Sequence, residues 1–206
     1  MSVAEALSPE KRAQILLGAA RVFAADGYEG ASMSRIAMEA SVSKGTLYNY
    51  FPSKAALFAA YVGQECSRNL TSIFAGADHD GEPAAVLRTL GRRMVELMIS
   101  PVGRTIYRVV ISEVTRFPEL AHAFFDAGPA RAIQQLSDWL AEETRRGRLV
   151  VTDPEFAAEQ FFSLCQTRLV LRQKLALLDA PGPGEVEFVV DAAVTMFLRF
   201  YAEGGR

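Results

Sequence analysis

The chain has 206 residues, half of them hydrophobic, with 22 Lys and Arg against 24 Asp and Glu and a formal net charge of −2. That length fits one or two small domains with a real core, which excludes a disordered composition. The charge balance excludes a generally basic nucleic-acid coat, so any contact with a polyanion must be a local patch.

The first seven residues lack a basic start and include Glu5, so no secretory leader and a cytoplasmic location are expected. Helical signals then dominate. Ser8-Pro9-Glu10 reads as an N-cap, a proline at the first helical position and an acidic first turn. Ile15, Leu16, Ala19, Val22 and Phe23 follow at helical spacing, and Gly27 supplies a stop. Ser32 can cap a short helix with Ile36, Ala37 and Ala40 inward. Ser43 can cap another, which must end near Tyr50 because Pro52 disfavours helical geometry at Phe51. Ser53 starts a longer helix. Residues 76–82 (GADHDGE) read as a loop. Further helices are expected over 83–99, 101–116, 129–146, 154–178 and 185–201, with a short helical turn over 119–125. Gly147 stops the helix that carries Trp139, and PGPG at 181–184 separates the last two helices. LVVT at 149–152 is too short and isolated for a strand. The fold class is all-α. Glu187, Asp191 and Arg199 interrupt the most apolar stretch, 186–201, which argues against a membrane span.

Two short helices meeting at Ala40-Ser41-Val42-Ser43 form a helix-turn-helix arrangement. Small or branched inward residues (Ala37, Ala40, Val42, Leu47) let the helices approach, leaving the second free to display Lys44, Gly45, Thr46, Tyr48 and Asn49. The N-terminal end of such a helix can enter a major groove while neighbouring groups hold phosphates.

Residues 27–58, GYEGASMSRIAMEASVSKGTLYNYFPSKAALF, resemble the DNA-binding region of TetR/AcrR-family regulators. The shared elements are Gly-aromatic, Ser, Ile-Ala, a turn ending Val-Ser, Lys-Gly, Leu-Tyr-x-Tyr-Phe and Ser-Lys. One departure is Ser41, where the family often has Gly. The resemblance implies an N-terminal three-helix DNA-binding domain over 1–53 and an effector-binding and dimerisation domain over 54–206. Lys44, Gly45 and Thr46 would open the recognition helix toward base edges or flanking phosphates. Tyr48, Asn49 and Tyr50 would contact backbone and some bases, Lys54 would clamp a phosphate, and Ser32 and Arg35 would touch the backbone. Leu47 and Phe51 read as core anchors. Taken singly, Lys44 and Lys54 are equally readable as solvated lysines and Tyr50 as packing. The resemblance further implies a repressor whose dimer binds a palindromic operator in double-stranded DNA. An effector would tilt the helix starting at Ser53. An activator or a ligand-independent regulator of the same family is the alternative.

The remaining chain shows no Ser-His-Asp order, phosphate loop or metal cluster, and His79 and His122 stand alone, so no enzyme activity, metal or cofactor is expected. A helical adaptor with no salt-dependent DNA binding is the competing non-enzymatic reading. Residues 110–129, VISEVTRFPELAHAFFDAGP, resemble the C-terminal domain of AefR-like members. The Cys66 and Cys165 pair has no metal-ligand spacing and reads as free buried thiols. The last two helices are apolar nearly all round, either as an internal core pair or as covering for a second subunit. Phe161, Leu164, Arg168, Val190, Val194 and Phe197 are candidate dimer residues. Glu113 shares a stripe with Ile106, Val109, Val110 and Phe117. It faces either a pocket also lined by Met94, Met98, Phe124, Phe125, Trp139 and Gln166, or an arginine between helices. With few charges available, the expected effector is a small, largely hydrophobic or aromatic molecule.

Overall fold

The computed structural model describes residues 8–74 and 80–202. The first seven residues, His79 and most of the expected 76–82 loop lie outside them. Among the described residues there are eleven helices: α1 (Pro9–Gly30), α2 (Met33–Glu39), α3 (Lys44–Tyr50), α4 (Lys54–Phe74), α5 (Pro83–Ile99), α6 (Pro101–Glu113), α7 (Pro118–Ala127), α8 (Pro129–Arg145), α9 (Pro154–Cys165), α10 (Leu169–Lys174) and α11 (Glu185–Tyr201). The only extended pairing among them is one isolated bridge between Leu149 and Ala202.

The chain packs as two compact units. One comprises Met1–Cys66 with Thr105–Ala127, and the other Ser67–Arg104 with Gly128–Arg206. The expected functional boundary at 53/54 is therefore not a packing boundary. The first unit also takes in the start of α4, most of α6 and all of α7.

In the first unit, Ser8, Ser32 and Ser43 cap α1, α2 and α3, each accepting the N–H of the residue three positions on. Gly27 has φ 70° and ψ −179°, a combination essentially confined to glycine, and breaks α1 three residues before its end. The core joins Ile15, Ala19 and Phe23 of α1 to Ile36, Leu47, Leu57, Phe58 and Val62, with Ile106, Val110 and Leu120 behind. The Phe23 and Phe58 rings meet edge to face at 5.0 Å. Gly18 is where α1 crosses the turn after α2. A Cβ there would lie 2.7 Å from the Ala40 Cβ and 2.8 Å from its Cα and N. Gln14 Nε2 donates to the Ala40 carbonyl across the same contact at 2.7 Å.

The second unit packs α5 against α9 and α11. Gly91 permits this approach, since a Cβ there would sit 3.1 Å from Cys165 Sγ and from Val190 Cγ1. Glu143 of α8 has no solvent exposure and is held by Arg148 Nη2 at 2.6 Å. Arg148 Nη1 donates to the carbonyls of Asp80 and Gly81 at 3.1 Å each, so one guanidinium joins the end of α8 to the segment before α5.

Several expectations are corrected here. The helix expected over 154–178 is broken. Thr167 Oγ1 donates to the Leu164 carbonyl at 2.8 Å, a local alternative to the helical ladder, and Arg168 turns to φ 67°. The expected 101–116 helix ends at Glu113, and the short turn is the ten-residue helix α7. Phe161, Val190, Val194 and Phe197 are not on a surface. All four are buried in the core of their own unit. Leu164 packs partly against that core, and Arg168 is exposed. The apolar surplus of α11 is a different stripe, Phe188, Met196 and Phe200, with exposures of 63%, 60% and 71%.

Candidate nucleic-acid interface

The α2–turn–α3 segment owes its geometry to small groups and caps. Ala37 and Ala40 are buried and let α2 lie close to its neighbours. Ser41 takes φ 52°, and the Val42 N–H returns to the Ala37 carbonyl at 2.9 Å, closing the turn. Ser43 Oγ accepts the Thr46 N–H at 3.0 Å and lies 2.8 Å from Thr46 Oγ1. Leu47 is fully buried, which fixes the roll of α3 about its axis. The consequence is an exposed face made of Lys44 with Tyr48, four residues on, and Gly45 with Asn49. Tyr48 is 50% exposed although aromatic. A Cβ at Gly45 would meet no atom closer than 3.7 Å, so nothing within the fold requires its bare backbone.

The other expected contact residues divide. Ser32 is exposed, with its Oγ engaged as the α2 cap at 3.2 Å. Arg35 is half exposed and paired with Asp26 at 2.9 Å. Thr46 and Tyr50 are half-buried. Tyr50 Oη accepts the Ser8 N–H at 2.8 Å, tying the end of α3 to the start of α1 and leaving its own proton free to donate. Lys54 departs from the expected phosphate clamp. Its ammonium donates to the carbonyls of Tyr28 at 2.7 Å and Ala31 at 3.2 Å, and lies 4.3 Å from the centre of the Tyr28 ring. Those carbonyls belong to the end of α1, where the last turn leaves acceptors unpaired and the helix dipole favours a cation. Lys54 is a cross-tie from α4 to α1, spanning 26 residues with no local sequence signal.

The expected effector residues do not gather in one unit. Met94, Met98, Trp139 and Gln166 belong to the second, Glu113, Phe124 and Phe125 to the first. Trp139 is core, Met94 and Phe124 pack against their units' cores, Phe125 is exposed, and Gln166 Nε2 donates to the Phe162 carbonyl at 3.2 Å. Glu113 is buried. Burial first, and then the hydrogen-bonded carboxyl of Glu29, raise its pKa, opposed by Arg116 and Lys54. Its neighbours thus include a second carboxyl, on the segment that Lys54 grips, as well as the Arg116 guanidinium. Burial also pushes the Cys66 thiol up to about 11 and Cys165 up to about 12, so neither is a ready nucleophile.

Among the described residues, no group of three or more His, Cys, Asp and Glu side chains could hold a metal ion. No described helix is long and apolar enough to cross a membrane.

Comparison with known proteins gives two matched regions, the second of which takes in residues from both packing units. The signature of bacterial regulatory proteins of the tetR family matches residues 15–61, and that of the AefR-like transcriptional repressor C-terminal domain matches residues 85–203. The HTH-type transcriptional repressor KstR of Mycobacterium tuberculosis (strain ATCC 25618 / H37Rv) is 30% identical over 129 residues, 62% of this chain and 53% of KstR. The chain spans about half the length of the KstR relatives it matches. Among solved structures, a TetR-family transcriptional regulator from Mesorhizobium loti MAFF303099 superposes with a TM-score of 0.86 at 26% identity, over 94% of this chain and 98% of that one. The flavonoid-responsive regulator FrrA superposes with a TM-score of 0.80 at 31% identity, over 96% of this chain and all of FrrA.

Proposed function

The chain belongs to the tetR family of bacterial regulatory proteins, with an AefR-like C-terminal domain, and from that premise we propose that it is a ligand-responsive repressor. The observation that carries this reading is the exposed face of α3. Lys44, Gly45, Tyr48 and Asn49 stand opposite the fully buried Leu47, on a short helix with a serine cap and a stop at Pro52. Gly45 admits close approach of a base or phosphate. Lys44 and the Tyr48 hydroxyl supply donors for phosphates, and Asn49 can bridge adenine.

Regulators of this family bind DNA and typically act as dimers. The exposed stripe Phe188, Ala192, Met196 and Phe200, spaced by four along α11, supports a second copy of this chain as its cover. Two-fold symmetry then expects a palindromic operator. The effector is a small hydrophobic or aromatic molecule taken up by the C-terminal domain. The flavonoid-responsive neighbour supports that class, since a flavonoid is aromatic. Release follows if the effector binds the DNA-incompetent state more tightly.

Selection of bound fragments from genomic DNA by the purified chain tests the reading, and enrichment of one palindrome is the expected result. Retention without sequence enrichment contradicts it. Light scattering of Phe188→Asp and Phe200→Asp at micromolar concentration should show monomers where the parent is a dimer. Apolar aromatic compounds should release the operator. Release by anionic metabolites alone would refute the effector class.

A further inference from the structure

The cations of the first unit are mostly engaged. Arg21 pairs with Glu39 at 3.1 Å, Arg35 with Asp26 at 2.9 Å, Lys11 donates to Gln14 Oε1 at 2.9 Å, and Lys54 holds the α1 carbonyls. Arg12 differs. It is exposed, forms no ion pair among the described residues, and its guanidinium carbon lies 5.3 Å from the centre of the Phe51 ring. Phe51 is buried and directly follows α3. The same junction is fixed a second time by the Ser8 N–H on Tyr50 Oη at 2.8 Å. On the same stretch of α1, Gln14 reaches the Ala40 carbonyl of the helix-turn-helix turn. The nearby acid, Glu10, is taken up by the Ser8 hydroxyl.

A guanidinium against an aromatic ring is positioned in advance by the ring, while its N–H edge stays free to donate in pairs to an anion. We infer that Arg12 is a further DNA-phosphate contact, supplied by α1 and extending the interface past the C-terminal end of α3. This rests on α3 being the recognition helix. In that setting a phosphate beside Tyr50 meets the free Tyr50 proton and the Arg12 fork together.

The test compares the full chain with Arg12→Gln and Arg12→Lys by fluorescence anisotropy, on the selected operator and on an unrelated duplex, across a salt series. One phosphate contact contributes a slope of about 0.9 in log affinity against log salt, or about eightfold at 0.1 M salt. Arg12→Gln should therefore weaken binding about eightfold per protomer at 0.1 M salt, on both duplexes, with the slope lower by about one per protomer. Arg12→Lys should keep the slope, and the melting temperatures of both variants should match the parent. Steep salt-dependent binding by the parent with an unchanged Arg12→Gln overturns the inference and leaves the α3 reading intact. Weaker binding by Arg12→Gln at an unchanged slope shows that Arg12 only supports Phe51, and also overturns it. Absence of salt-dependent binding by the parent removes both.

Discussion

Gly18 and Gly91, one in each unit, stand at close helix approaches against different kinds of neighbour, although both units are helical and well packed. In the first, several close contacts are to backbone. Gly18 faces the Ala40 main chain, Lys54 holds carbonyls of α1, and three serines cap three helices. In the second, the close approach at Gly91 is to side chains of Cys165, Val190 and Phe161, although Arg148, which holds Glu143, also donates to the Asp80 and Gly81 carbonyls, and a Cβ at Gly103 would meet the Leu97 carbonyl. Backbone contacts fix geometry to fractions of an ångström, as a DNA-reading surface requires. Side-chain contacts can give where a neighbouring rotamer has room to shift.

The largest expected effect lies in the second unit. Arg148→Ala leaves Glu143 buried with only Arg146 at 3.7 Å, and should cost about 3–5 kcal/mol in denaturant titration. Replacing Glu143 and Arg148 together by Leu and Met should recover most of that loss, since the penalty is an orphaned charge. Next comes the comparison of glycines. Gly18→Ala drives a methyl into main-chain atoms at 2.8 Å and should cost about 1–3 kcal/mol, whereas Gly91→Ala meets side chains that can shift and should cost less. Equal costs would erase the contrast between the two glycine sites. Ser41→Gly should stabilise by about 0.5–1 kcal/mol. It relieves a left-handed residue at φ 52°, offset by the greater chain entropy of glycine.

The smallest effect is pH-dependent. The folded-state pKa of Glu113 is raised above its ordinary value of 4.5, so the folded state holds that proton longer than the unfolded one. This contribution is fully present below about 4.5 and is lost as pH rises through the folded pKa. Glu113→Gln, which mimics the protonated form, should therefore melt higher than the parent at pH 7.5, with the difference shrinking toward pH 4.5. A difference independent of pH would show that Glu113 does not share its proton in the fold.

The difference between local signals and long-range contacts explains what was legible in the sequence. Caps, stops and the buried Leu47 are local, so Ser8, Ser32, Ser43, Gly27 and Pro52 marked their elements correctly. The resemblance marked Ser41 as a departure from glycine, and the residue takes the φ of 52° that glycine adopts more easily. Contacts across long separations left no such mark. The Lys54 tie to Tyr28, the meeting of Glu113 with Glu29, and the approach of Arg12 to Phe51 each depend on packing that spacing does not encode. On α11 the apolar residues were visible, but not which ones faced inward. Phe197 and Val190 went to the core, Phe188 and Phe200 to the surface. The helix break at Arg168 was hidden because Thr167 competes for a helical carbonyl through its hydroxyl, which composition does not reveal.

The most direct measurement is operator affinity at fixed salt for the parent, Lys44→Ala and Tyr48→Ala, by fluorescence anisotropy, with melting temperatures taken in parallel. Both side chains are exposed, so neither substitution should lower the melting temperature, and both should weaken operator binding several-fold. Equal affinity for all three proteins would contradict the assignment of α3 as the helix that reads DNA.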